Sequence, residues 1–372
     1  MARLRVAGIV IGALALMGFG LLFLGAPKPH IEIKGEPLWT IGVLEITNTL
    51  FSAWIATLVL FLIAIFATRK MSFIPSGLQN IMEAVVEALL TLVENTVGPK
   101  HARRFFPVIA TIFLFIVVGN WMALLPVFNV IGKIEPVGVE EAEFREEVII
   151  FEDRGIFMVM PNTSEIEIHF DEAVCDGVAE GHQHEVCLEE GRALAIAEAR
   201  EVEGIDEDAQ IGLLAPYFRS MNTDLMTPLS LAIVAAIFVE WWGISALGLV
   251  GYGKRFFSFG RLAKGDPMGI IDIFVGILEL IAEFARLISF TFRLFGNMLA
   301  GEILLLVMTF LIPLLLALPF YGLELFVGAI QAFVFAMLTL VFGALAVTSH
   351  DEHDEEETHT SSGEVAAVQQ AE

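Results

Sequence analysis

One arginine stands inside a long apolar stretch, Ser289 to Glu302, which reads SFTFRLFGNMLAGE. A charge at the centre of a membrane helix costs about 2.5–3.5 kcal/mol on insertion scales, and a guanidinium cannot escape by losing its proton. Arg293 must therefore face water, protein or a carboxylate. The structural alternative is an arginine that snorkels or holds a neighbouring helix.

The nearby acids sharpen this choice. On a helix at 100° per residue, Glu302 lies about 180° around from Arg293 and about 13 Å further along. Glu279 lies about 21 Å in the opposite direction and about 40° from the arginine's face, with Arg286 between the two on nearly the same stripe. Acids on both sides of a fixed positive charge suit two proton pathways, each reaching part of the way into a membrane, with the charge blocking a direct leak. Asn297, four residues beyond, can support or hydrate Arg293, while Gly296, Ala300 and Gly301 leave room for a second helix. On the next apolar run Glu324 and Gln331 share a face. Glu324 is expected level with Glu302, and Gln331 about 10 Å deeper. The alternative for both is a polar group that packs helices. Asp272, Ser289, Glu240 and Asn120 are further polar residues in apolar runs; Glu240 reads as a channel residue or as a buried helix clamp.

Other signals fail on context. Gly248 to Lys254 matches GxxxxGK in spacing, but Arg255 replaces the Ser or Thr that would bind magnesium, and the motif ends an apolar span instead of joining strand to helix. No HExxH occurs, and His350, His353 and His359 lie in an acid-rich tail. No cofactor is implied.

Segments that hold these residues must lie in lipid. The chain has 372 residues, 56% of them hydrophobic, and a positive mean hydropathy, which excludes an ordinary soluble domain. Of the net charge of −24, about −17 falls between Lys133 and Arg219. Basic residues are scattered at the ends of apolar segments, so nucleic acid is not a partner.

Apolar runs read as spans at Thr49 to Ala67, Val108 to Val130 and Pro228 to Val250. Their basic flanks, Arg69 and Lys70, then Lys100, Arg103 and Arg104, then Lys254 and Arg255, place those loops in the cytoplasm. An earlier run, Val6 to Leu24, is a signal peptide or a first span. Leu78 to Val97 sets Ile81, Val85, Leu89, Leu92 and Val93 on one face, as an interfacial helix would. Gly269 to Ile312 holds no proline, and as one helix would extend about 66 Å, around twice the ~30 Å hydrocarbon core. It must tilt or protrude. Pro313 and Pro319 break it from a last run, Leu323 to Thr348.

The fold class is thus an all-α polytopic membrane protein with about five to six apolar helical segments, two of them long and tilted, and a small mixed extramembrane insert. Residues 1–35 form the signal peptide or first helix, 36–133 membrane and interfacial helices, and 134–216 an acidic external insert. Residues 217–348 form membrane helices with the proton-channel hairpin, and 349–372 an acidic, disordered cytoplasmic tail. The insert mixes strand-like alternation at Glu165 to Phe170 with a helix-like stretch at Arg192 to Glu203. In an external compartment Cys175 and Cys187 favour a disulfide; the alternative is zinc held by Cys175, His182, His184 and Cys187.

Arg293-Leu-Phe-Gly-Asn297-Met-Leu-Ala-Gly301-Glu302, followed some thirty residues later by Gln331-Ala-Phe-Val-Phe, resembles the signature of subunit a of F-type ATP synthases. The similarity extends loosely through Glu36-Pro-Leu-Trp, Asn120-Trp-Met-Ala-Leu-Leu-Pro126 and Asn222-Thr-Asp224, and so covers most of the chain. The resemblance implies two long tilted helices lying against a ring of c subunits, each with one carboxylate, and a peripheral stalk of b type. Arg293 would face the ring, Glu302 and Glu324 would line the external half-channel, and Glu279, with Asp272 nearby, the cytoplasmic one. It implies a bacterial inner membrane and a chain that makes no ATP itself. In some members a histidine stands where Glu324 is, so here a proton would pass between two carboxyl groups that titrate as a coupled pair. The insert is not needed by the family pattern. The competing function is a stand-alone ion channel or secondary transporter, against which the chain shows no internal repeat and no acid close to Arg293 on its own helix face.

Overall fold

The computed structural model describes residues 34–42, 44–69, 71–129, 131–135, 147–152, 160–167, 210–256, 269–311 and 317–347, with isolated positions 12, 18, 187, 191 and 194. Val6 to Leu24, apart from Gly12 and Gly18, lies outside them, as does the tail from 348. The described residues begin with a hairpin of β1 (Pro37–Ile41) and β2 (Leu44–Thr47), in which Gly42 takes the positive φ of 67° that the turn needs. Helix α1 (Asn48–Thr68) follows at once. Its start is capped by Thr47, whose hydroxyl accepts from the Leu50 amide at 3.3 Å.

Helix α2 (Leu78–Met122) bends at Gly98, where φ is 75° and ψ 159°. The cause is Pro99: the residue before a proline avoids the helical region, and glycine can leave it on the side closed to other residues. The basic residues Arg103 and Arg104 sit inside the second half of α2, whose apolar part, His101–Met122, starts earlier than the sequence run and stops earlier too. Residues 123–129 are turns instead of helix, since Pro126 would clash with the carbonyl four residues back.

The insert contributes β3 (Gly132–Glu135), β4 (Glu147–Glu152), β5 (Met160–Glu167) and β6 (Gln210–Pro216), antiparallel throughout in the order β3-β6-β4-β5. The alternating residues Glu165 to Glu167 fall in β5, while 168–170 and most of the stretch from Arg192 to Glu203 lie outside the described residues. Because β3 and β6 pair, the two ends of the insert meet. Two more hydrogen bonds extend that ladder: Tyr217 N to Ile131 O at 2.8 Å and Asn129 N to Phe218 O at 2.9 Å.

Three long helices complete the chain. Helix α3 (Met226–Phe256) bends at Gly248, with φ 74° and ψ 161°. The GxxxxGK-spaced stretch is therefore helix on both sides of a bend, unlike a phosphate loop. Helix α4 (Gly269–Leu311) is 43 residues without a break. Helix α5 (Ala317–Val347) begins before Pro319 instead of after it, because proline in a first turn removes an N–H that has no helical acceptor.

Five helices among the described residues are long and apolar enough to cross a membrane, and the molecule is an all-α polytopic membrane protein. The chain divides into two compact units. Met1–Ala56, Gly119–Asp224 and Asn297–Val327 form the first, and Thr57–Val118, Leu225–Gly296 and Gly328–Glu372 the second. The first is built around Phe51, Phe128 and Phe218, with neighbouring ring centroids 5.9 Å apart. In the second, Phe105 stacks on Trp242 at 4.0 Å, packed among Val93, Ile109, Val239 and Leu340.

Candidate functional site

In the first unit the insert's ladder leads the chain into a segment, Arg219 to Asp224, whose side chains are all buried. Lipid offers such a segment no partners, and its hydrogen bonds are made in part within the unit, Ser220 Oγ and Asn222 Oδ1 being left without one. Asn222 donates to Asn120 Oδ1 at 2.7 Å, and Thr49 donates to Asp224 Oδ2 at 3.0 Å. Asn48 ties the hairpin to the insert's root, donating to Pro216 O at 3.2 Å and accepting from the Glu36 amide at 3.2 Å.

Arg219 reaches Glu302 of α4, its Nε donating to Oε1 at 3.3 Å, while its Nη1 donates to Lys34 O at 3.0 Å. Asn129 donates to the same oxygen, Oε1, at 3.0 Å. Asn129 stands at φ 58°, a left-handed conformation that asparagine tolerates better than most residues. Glu302 Oε2 is buried without a hydrogen bond, and so is Oε1 of Glu324. Glu324 is only 6% exposed. Its carboxyl group lies where a Cβ on Gly301 would be, so glycine is what lets α5 bring this acid against α4.

The second unit holds Arg293. Its Nη2 donates to Ser289 Oγ at 3.4 Å, and its Cζ lies 6.0 Å from the centre of the Phe290 ring. Among the described residues no carboxylate pairs with it. Arg293 is itself half-buried and shares its face of α4 with Ala282 and Ser289, both exposed; the exposed apolar residues Phe284, Ile288 and Phe292 lie on another face of the helix. Arg286 is different, since Nη1 is bound by both oxygens of Glu283 at 2.9 and 2.7 Å and the guanidinium covers the Phe342 ring at 3.8 Å. Glu279 and Glu240 are half-buried, and Gln331 is buried. In the first unit Asn297 is exposed. The side chain of Asp272 lies outside the described residues, as do Cys175, His182 and His184; Cys187 is disulfide-bonded.

The family model described as ATP synthase A chain matches residues 50–344. This chain belongs to that family. A relative from Gloeobacter violaceus, named ATP synthase subunit a, is 27% identical over 324 residues, covering 87% of this chain and 93% of its own. The ATP synthase A chain family carries the proton-translocating stator role in the membrane sector of the F-type ATP synthase, and membership places this chain in that complex as a multi-pass membrane protein. A stand-alone channel or transporter is set aside on that ground.

Sequence reasoning did not single out Arg219, Asn129 or Glu283, which the structure brings against Glu302 and Arg286. Glu283 and Arg286 are three apart on one helix, a spacing that marks an ion pair. Arg219 carried a weaker signal, standing just before Asn222-Thr-Asp224. Nothing local to Asn129 points to Glu302.

Proposed function

We propose that this chain conducts protons to and from carboxylates of a c-subunit ring through two half-channels, with Arg293 as the fixed charge between them. The observation that carries the reading is Arg293, half-buried inside an apolar helix, with no carboxylate from the described residues. A membrane charge of that kind needs a partner on another chain. Glu302 and Glu324 suit the external half-channel, since each has a buried oxygen free of hydrogen bonds, and Asn120, Asn222 and Asp224 extend the polar interior of the same unit. That unit also contains the insert, so an external insert puts these acids at the external end. Glu279, Asp272 and Ser289 suit the cytoplasmic half-channel.

A proton from outside would neutralise a ring carboxylate, which turns into lipid; after nearly a full turn it would be released to the cytoplasm, and the anion drawn past Arg293. One charge moved across the membrane is worth about 2.3 kcal/mol per 100 mV, so a leak past the arginine wastes energy of that order. The reading includes a b-type peripheral stalk, the inner membrane of a bacterium, an external insert closed by a Cys175–Cys187 bridge, and a cytoplasmic tail.

The test uses inverted vesicles with Arg293→Ala, following ATP-driven acidification and passive leak beside wild type. Loss of pumping with the ATPase sector still attached is the expected result. Pumping near the wild-type rate would make the arginine structural and end the proposal.

A further inference from the structure

The two oxygens of Glu302 are not equivalent. Oε1 takes two hydrogen bonds, from Arg219 Nε and Asn129 Nδ2, while Oε2 is buried and takes none. Both donors come from the paths that lead into and out of the insert. The ladder of β3 and β6 continues through Tyr217 to Ile131 and Asn129 to Phe218, and this register sets Asn129 beside the residue that precedes Arg219. Among the described residues, the charged groups shown against Glu302 and the adjoining Gly301 are Arg219 and Glu324 of α5.

We infer that Arg219 and Asn129 form a clamp that fixes Oε1 of Glu302 and leaves Oε2 as the atom that takes and releases the proton. The inference rests on the reading of Glu302 as part of a half-channel. A proton arriving at Oε2 turns the carboxylate into the neutral acid, and its departure to the next base restores the carboxylate. Oε1 keeps its two donors, and the guanidinium keeps its proton throughout. Arg219 is thus a positioning residue, and the insert's root is the device that holds it in place. A carboxylate free to rotate would offer either oxygen, and half of its orientations would turn the proton away from the path.

The test compares Arg219→Gln, Arg219→Lys, Asn129→Gly and Glu302→Gln in the assembled complex, in inverted vesicles. Acidification rates are recorded between about pH 6 and pH 9, across the range in which a displaced profile would be seen, with the amount of assembled complex measured in parallel. Arg219→Gln should slow pumping about tenfold, the size of one charge-assisted hydrogen bond, and displace the pH profile. Arg219→Lys, which keeps the charge and a donor, should recover most of the rate and return the profile. Glycine at 129 keeps the left-handed backbone and removes only the amide; it should slow pumping by a smaller factor and displace the profile in the same sense.

If Arg219→Gln assembles and pumps with the wild-type profile, the clamp is wrong. Should it fail to assemble, a wild-type profile in Asn129→Gly overturns the inference instead. Wild-type pumping by Glu302→Gln would remove the half-channel reading itself, an outcome distinct from a working Glu302 that needs no clamp.

Discussion

Gly301→Ala adds one methyl at the point where Glu324 approaches α4. The new Cβ would overlap the Glu324 carboxyl group, and the acid would have to withdraw by on the order of 1 Å before van der Waals contact is restored. The obstruction is the far end of a flexible side chain, so overpacking should cost the fold about 1–3 kcal/mol and leave the subunit assembled. Proton conduction should suffer more. Displacing a reacting group by about 1 Å costs up to roughly 10²-fold, so a fall of about 10- to 100-fold in pumping is expected, about 1.4–2.7 kcal/mol. ATP-driven acidification of inverted vesicles, normalised to assembled complex, reads this directly. Glu324→Asp shortens the intruding side chain by one methylene, so the double variant Gly301→Ala/Glu324→Asp should pump faster than Gly301→Ala alone. Wild-type pumping by Gly301→Ala, or a double variant slower than either single, would refute the claim that Gly301 exists to admit this carboxyl group.

Two further outcomes follow from packing. Gly343→Ala would put a methyl 2.7 Å from Phe105 Cε1 and Trp242 Cε3 in the second unit's core. A loss of about 1–3 kcal/mol is expected, seen as less chain retained in the complex after heating; Gly322→Ala, with nothing within 4 Å of its Cβ, should show no loss. Asn222→Ala breaks the buried 2.7 Å hydrogen bond to Asn120, which should cost about 1–3 kcal/mol in the same heating assay.

Spans were legible because lipid demands length and apolarity, both of which are written locally. Arg293 stands out in the sequence for the same reason, as a charge where charge is expensive, and its role is the one proposed above. Contacts made by the site were not, because they close across distance in sequence. Arg219 and Glu302 are 83 residues apart, and Asn129 and Glu302 are 173. Only the insert's strand register brings the two donors together, and no periodicity within either segment records that register. Helix ends were blurred for a further reason. The apolar run to Val130 marks what can sit in lipid, whereas the stop after Met122 depends on the backbone's inability to carry Pro126 in a helix. Pro319 misled in the opposite sense, because its effect depends on whether it stands inside a helix or in its first turn.

Three arginines in these apolar surroundings are treated in three ways, and the contrast separates structure from function. Arg219 is buried and given Glu302 together with the Lys34 carbonyl. Arg286 is given Glu283 and the face of Phe342. Each therefore has a carboxylate of this chain to offset the cost of removing its charge from water, a cost of several kcal/mol per ion when uncompensated. Arg293 has Ser289 Oγ at 3.4 Å, a long and neutral contact, and no carboxylate among the described residues. Among the described residues two of these arginines are given a carboxylate and Arg293 is not, which is the ground for proposing that its partner is a carboxylate of another subunit. A paired Arg293 would attract a passing anion weakly. On the proposed function, an Arg293 with no acid of its own among the described residues binds each arriving carboxylate in turn and releases it when the next proton arrives.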